Sequence, residues 1–193
     1  MLILAFGSMV IMVIKKTMAV KKIILTGYRA TGKTSVGKML ARRLALDFLD
    51  TDSIIVEQEG RTINEIVARD GWGYFRAQEE KLLEALIDRQ GLVVATGGGA
   101  IMHQGVWPRL MASGLVVWLT ADRQTICQRL AGDDNTGGQR PALTSDDTYA
   151  EVERVLKERE PLYRQGSHLA VDTGTLDIAG VAEVIEKEFK LRA

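Results

Sequence analysis

Cysteine occurs once in this 193-residue chain, at Cys127, and histidine only twice. A single cysteine cannot close an intrachain disulfide, so a reducing, cytoplasmic setting is expected. These residues are also too few for a zinc site of nitrogen and sulfur ligands. Any metal is therefore expected to be a hard cation held by oxygen. Net charge is missing as well, with 25 Lys+Arg against 25 Asp+Glu. No global field remains to attract nucleic acid or an anionic membrane. Trp72, Trp107 and Trp118 are scattered and make no stacking stripe for single strands. Neither nucleic acid nor membrane is an expected partner, and a monomer is expected.

No apolar run reaches the roughly 20 residues of a membrane-spanning helix. Met1 to Ile14 comes nearest, and Lys15 and Lys16 close it. A secretory signal carries its positive charges before the apolar stretch, so that class does not fit either. Residues 1–20 are read as an extension outside the fold, with Met18 as the functional start. A membrane-associating tail is the rival reading.

From Lys21 onward, short apolar runs alternate with helical spacings. Ile23–Thr26, Phe48–Leu49, Leu92–Ala95, Leu115–Leu119 and Leu169–Asp172 read as strands. Helices are expected over Lys33–Leu46, from the S/T-x-x-E start at Thr62, over Tyr74–Arg89, from the Asp122 cap to Leu130, over Thr148–Arg164, and up to Phe189. Buried strands alternating with amphipathic helices imply a parallel sheet covered on both faces. No repeat or linker divides the chain, so residues 21–193 are read as one α/β domain. Ala131 to Asp147 is polar and lacks apolar periodicity. Loops of that length inside compact domains are usually functional or disordered.

Gly27-Tyr28-Arg29-Ala30-Thr31-Gly32-Lys33-Thr34 fits G-x-x-x-x-G-K-[ST] and lies between an expected strand and an expected helix. Backbone N–H groups of such a loop make a nest for phosphate oxygens, and the helix adds its positive end. Lys33 can bridge the β- and γ-phosphates, and the Thr34 hydroxyl can ligate Mg²⁺. This specifies ATP or a similar triphosphate and leaves the acceptor open.

In an open α/β sheet, ligands sit beyond the carboxyl ends of the strands. Asp50 and Asp52 follow the second strand, and Gly97-Gly98-Gly99 follow the third. Alternation at a strand end would send both carboxylates the same way, one toward metal and one toward acceptor. Capping of the next helix is the plainer alternative for Asp-Thr-Asp.

With these residues the chain resembles the shikimate kinases, from about Lys21 to Phe189. The marks are the P-loop, Asp50-Thr51-Asp52, Gly71-x-x-x-Phe75-Arg76, Thr96 to Gly99, Arg140-Pro141, and Arg159-x-x-Leu162-Tyr163. The resemblance implies a three-layer, nucleoside monophosphate kinase-like fold, with a five-stranded parallel sheet and a mobile lid at about 131–147. It implies transfer of the ATP γ-phosphoryl group to the 3-hydroxyl of shikimate. Gly27, Ala30, Thr31, Gly32, Lys33, Thr34 and Ser35 would hold ATP, and Thr34 and Asp50 would hold Mg²⁺. Asp52 would bind the acceptor hydroxyl, Arg76 and Arg159 its carboxylate, and Gly97, Gly98 and Gly99 would also bind the acceptor, Gly98 through its backbone. Lys33, Asp52 and the lid residue Arg140 would be catalytic, with Arg140 also on the phosphates. Arg129 would stack on adenine, although the stretch before Arg140 varies in length in the family. Ala30 stands where the family often has glycine.

Arginine suits a carboxylate because it stays charged and presents paired donors. Read without the family, Arg76 and Arg159 could be surface residues on amphipathic helices. The rival functions are another small-molecule kinase, such as a gluconate kinase, or a non-catalytic ATP-binding regulator. His103 and His168 are read as packing or surface residues, and Cys127 as inert core.

Overall fold

A computed structural model describes residues 21–132 and 148–192. Among these, five strands form one sheet: β1 (Lys22–Thr26), β2 (Asp47–Asp50), β3 (Leu92–Ala95), β4 (Leu115–Thr120) and β5 (Leu169–Asp172). Their order across the sheet is β2-β3-β1-β4-β5, and every pairing is parallel. Parallel neighbours need crossovers. The helices are α1 (Lys33–Leu44), α2 (Thr51–Glu59), α3 (Ile63–Ala85), α4 (Trp107–Ala112), α5 (Arg123–Ala131), α6 (Thr148–Gln165) and α7 (Ile178–Arg192).

Every residue of β1 is buried, as a strand covered on both faces must be. Side chains alternate between the faces. Ile23 and Leu25 pack with Val36 and Leu40 of α1 and with Ile185 and Phe189 of α7. Ile24 packs on the opposite side with Leu83 of α3, Leu110 of α4 and Tyr163 of α6. Three layers result. At the foot of β1, Lys22 Nζ donates to the carbonyls of Leu86 at 2.6 Å and Ile87 at 2.8 Å. These are orphan acceptors beyond the end of α3, and burial lowers the lysine pKa to about 8.

Within α3 the two helices expected after Thr62 are both present and meet at a kink, where Gly71 is non-helical at φ 83° and ψ 165°. Thr62 and Glu65 form the anticipated capping box, but α3 ends at Ala85, short of Arg89. The first helix stops at Leu44 because Ala45 turns left-handed, at φ 52°. Helices α2 and α4 are not among the expected helices, and α4 is only 6 residues long. Residues 1–20, and residues 133–147 with Arg140 and the expected lid, lie outside the described residues. Among the described residues no helix is long and apolar enough to cross a membrane.

The register brings three strand tips level. Leu25 and Asp50 both pair with Ala95, so β3 lies between β1 and β2 at the same height. The glycine triplet therefore emerges between the P-loop and the acidic pair.

Candidate active site

The P-loop closes on itself around Lys33. Its ammonium donates to Gly27 O at 2.9 Å and Tyr28 O at 2.7 Å, while Thr31 Oγ1 donates to Tyr28 O at 2.8 Å. Thr31 is buried, so its side chain stitches the loop together. Gly27, at φ 140°, has no room for a Cβ against the Leu119 carbonyl. Gly32 caps α1 without a side-chain hydrogen bond, and the first turn of α1 carries no acid. The orphan amides and positive pole there suit an anion. Ser35 is exposed on that turn.

Ala30 adopts φ 61°, a left-handed conformation that glycine takes without steric cost. A left-handed alanine costs roughly 1–2 kcal/mol, and glycine in its stead costs about 0.5–1 kcal/mol in entropy. Ala30→Gly is expected to raise stability by up to about 1 kcal/mol. Urea unfolding would show it as a higher midpoint at constant slope; an unchanged or lower midpoint would contradict it.

The acidic pair divides its work, though not by strand alternation. Asp50 ends β2 and caps α2, where its Oδ1 accepts from Asp52 N at 3.1 Å and Ser53 N at 3.3 Å. The capping alternative is therefore correct for Asp50. Its other oxygen still faces the P-loop and accepts from Thr34 Oγ1 at 2.8 Å. These two neighbouring oxygens suit Mg²⁺, which keeps most of its shell as water and phosphate. Asp52, in the first turn of α2 and 6% exposed, points elsewhere. A Cβ on Gly97 would lie 2.7 Å from Asp52 Oδ1, which places that carboxylate beside the glycine triplet.

Asp52, Gly97, Gly98, Gly99, Arg76 and Arg159 line one cleft, together with Tyr28 and Arg29 of the P-loop. Each glycine is there for a different reason. Gly97 N–H donates to Thr51 Oγ1 at 2.9 Å, so this glycine contributes space rather than a donor. Gly98 O accepts from Arg159 Nη1 at 3.0 Å and Tyr163 Oη at 2.6 Å. Any Cβ on Gly99 would overlap the Arg76 guanidinium. Arg129 is pinned, donating to Thr173 Oγ1 at 2.9 Å, Thr173 O at 2.6 Å and Ala30 O at 3.3 Å. It thereby ties the end of β5 to the P-loop.

The sequence pattern described as shikimate kinase matches residues 29–190. The chain belongs to the shikimate kinase family. The shikimate kinase of Syntrophus aciditrophicus is 39% identical over 178 residues, which is 88% of this chain and 91% of that protein. Among solved structures, a shikimate kinase from Acinetobacter baumannii in complex with shikimate superposes with a TM-score of 0.82. It is 33% identical, and the match covers 89% of this chain and 94% of that one. The shikimate kinase of Bacteroides thetaiotaomicron gives 0.80 at 26% identity, over 89% and 99%. The P-loop, nucleoside monophosphate kinase-like sandwich of the family is thus the fold of this chain.

Four residues to which the sequence reading gives no role contribute to this shikimate kinase-family site. Glu79 is fully buried and ion-paired with Arg76, and it lines the cleft. Trp72 lies under Arg76 at 5.3 Å and meets Phe75 edge-on at 5.9 Å, so it is a cleft residue and not a scattered one. Tyr163 stacks on Trp118 with ring centroids 5.8 Å apart. Burial pushes its phenol up to about 12, so it stays a neutral donor. Arg29 forms an ion pair with the buried Glu151 of α6. Arg29 stands within the P-loop and Tyr163 within the Arg159-x-x-Leu162-Tyr163 mark, whereas for Glu79 the available signal is its i, i+3 spacing from Arg76 on one helix. His103 does not merely pack, since its Nε2 meets Glu79 Oε2 at 2.9 Å. His168 is structural as expected: its Nδ1 accepts from Val116 N at 3.0 Å. Cys127 is half-buried against the Ile126 and Val152 cluster.

Proposed function

We propose that this chain transfers the γ-phosphoryl group of ATP to the 3-hydroxyl of shikimate. One observation carries the reading. Tyr28 accepts a hydrogen bond from Lys33 through its carbonyl, and the same residue lines the cleft with Asp52, Arg76 and the glycine triplet. Cradle and acceptor site therefore share a wall.

Lys33 would span the β- and γ-phosphates within the nest from Gly27 to Thr34, with Ser35 beside it on α1. Arg129, fixed by Thr173, would offer its guanidinium face to adenine. Thr34 and Asp50 would hold Mg²⁺, which when bound neutralises charge on the triphosphate. Asp52 would accept the hydroxyl hydrogen and aim the attacking oxygen. Arg76 and Arg159 would take the carboxylate, with the Gly98 backbone on the ring. Tyr163 and Arg159 steady Gly98 through its carbonyl. Phosphoryl transfer runs through a loose transition state, so alignment and charge neutralisation supply most of the catalysis.

The test is ADP release from ATP and Mg²⁺ with shikimate, gluconate, AMP or no acceptor. Stimulation by shikimate alone is expected. Equal stimulation by gluconate or AMP would refute the acceptor assignment, and no stimulation by any would favour a non-catalytic ATP-binding role.

A further inference from the structure

We infer that His103 is a positioning residue for the acceptor clamp, acting through Glu79 to set how Arg76 is presented to the substrate carboxylate. The inference rests on the function proposed above. Its observations are separate.

Glu79 has no exposed surface, and two groups converge on its Oε2: Arg76 Nη1 from the same helix, and His103 Nε2 at 2.9 Å. A carboxylate oxygen can only accept, so the imidazole carries its proton on Nε2 and donates. Glu79 Oε1 has no hydrogen-bond partner among the described residues and faces Gly97, where a Cβ would come within 2.5 Å of it. Asp52 lies across the same glycine. Two charged groups, Asp52 of α2 and Arg76 of α3, therefore flank one histidine-held carboxylate.

The imidazole stands on a stiff base. His103 ends the 3₁₀ turn Ala100–Met102 that directly follows the glycine triplet, and its N–H donates to Ala100 O at 3.2 Å. Its carbonyl accepts from Val106 N at 3.1 Å and Trp107 N at 2.8 Å, at the start of α4. The side chain is 9% exposed. Position of the ring is thus set by the same backbone that shapes the acceptor cleft.

The physical consequence concerns how many donors Arg76 spends on Glu79. Arginine and carboxylate favour a bidentate fork. A buried carboxylate with arginine as its one partner would roll until both oxygens met the guanidinium. Arg76 would then commit two donors inward and turn from the cleft. By holding Oε2, His103 blocks that roll and leaves the remaining guanidinium donors for the acceptor. Trp72 and Phe75, whose ring centroids lie 5.3 and 5.5 Å from the guanidinium carbon, restrict the plane of Arg76 but not the rotation of Glu79. Only His103 restrains that rotation among these contacts.

The experiment compares His103→Leu with His103→Gln, whose amide nitrogen sits as many bonds from the backbone as Nε2. KM for shikimate, KM for ATP, kcat and Tm are measured on each. His103→Leu is expected to raise KM for shikimate on the order of tenfold, the effect of one charge-assisted hydrogen bond. KM for ATP and kcat should stay put, and His103→Gln should recover most of the loss. An unchanged KM for shikimate in His103→Leu overturns the inference. So does a loss spread over both KM values and kcat with a lowered Tm, which marks a purely structural role. If the leucine variant does not fold, His103→Asn replaces it, because its amide is too short to reach Glu79. Equal KM values for the asparagine and glutamine variants then overturn the inference. Wild-type protein without shikimate-stimulated ADP release would instead sink the proposed function, so the two failures are distinguishable.

Discussion

Asp52→Asn is expected to bind ATP as the parent does and to lose turnover by at least the ~10²–10⁴-fold that general-base help contributes. The substitution is isosteric, and Asp52 is 6% exposed beside Gly97, so the fold has little to repack. Its backbone N–H still caps onto Asp50 Oδ1, and Asp50 still meets Thr34. The phosphate side is thereby left alone. What changes is one oxygen of the cleft, which becomes an amide donor pointing at a hydroxyl that must itself donate. A loss above the general-base range would mean that alignment is lost too. The measurement is kcat together with ATP affinity by titration. Near-normal turnover would remove Asp52 from the mechanism.

Arg76→Lys carries the second large effect. Lysine keeps the charge that Glu79 needs but loses the planar fork. With two charge-assisted bonds to a carboxylate at about 1.5–3 kcal/mol each, kcat/KM for shikimate is expected to fall on the order of 10²-fold, with KM for ATP unaltered. Arg76→Met goes further. It leaves Glu79, which has no exposed surface, with His103 as its remaining side-chain partner among the described residues. Breaking a buried pair costs about 3–5 kcal/mol, so the methionine variant should melt well below the lysine variant. A lysine variant with unchanged shikimate KM would show that Arg76 does not hold the acceptor. A methionine variant as stable as the parent would show that Glu79 is not committed to it.

Much of the site could be read in the chain because its parts are local. A phosphate cradle needs glycines, a lysine and a hydroxyl within one turn, and Gly27 to Thr34 are contiguous. Strand tips announce themselves where an apolar run meets Asp50 or Gly97. Asp52 lines the cleft, but not by strand alternation: Asp50 ends a strand, whereas Asp52 already belongs to α2. Glu79 and His103 carried no comparable signal. A charged residue on an amphipathic helix looks solvated until something distant covers it. His103 lies 24 residues from Glu79, and Tyr163 lies 65 from Gly98.

The sequence by itself determined that this protein is a parallel α/β sheet carrying a triphosphate loop, because side-chain periodicity and loop chemistry are set by neighbours within a few residues. Only the tertiary structure decided that β3 runs between β1 and β2 with its tip level with theirs. Backbone hydrogen bonds between strands are the same whatever the side chains. Strand order is therefore chosen by how the helices pack over both faces, and that choice puts the glycine triplet between Lys33 and Asp52.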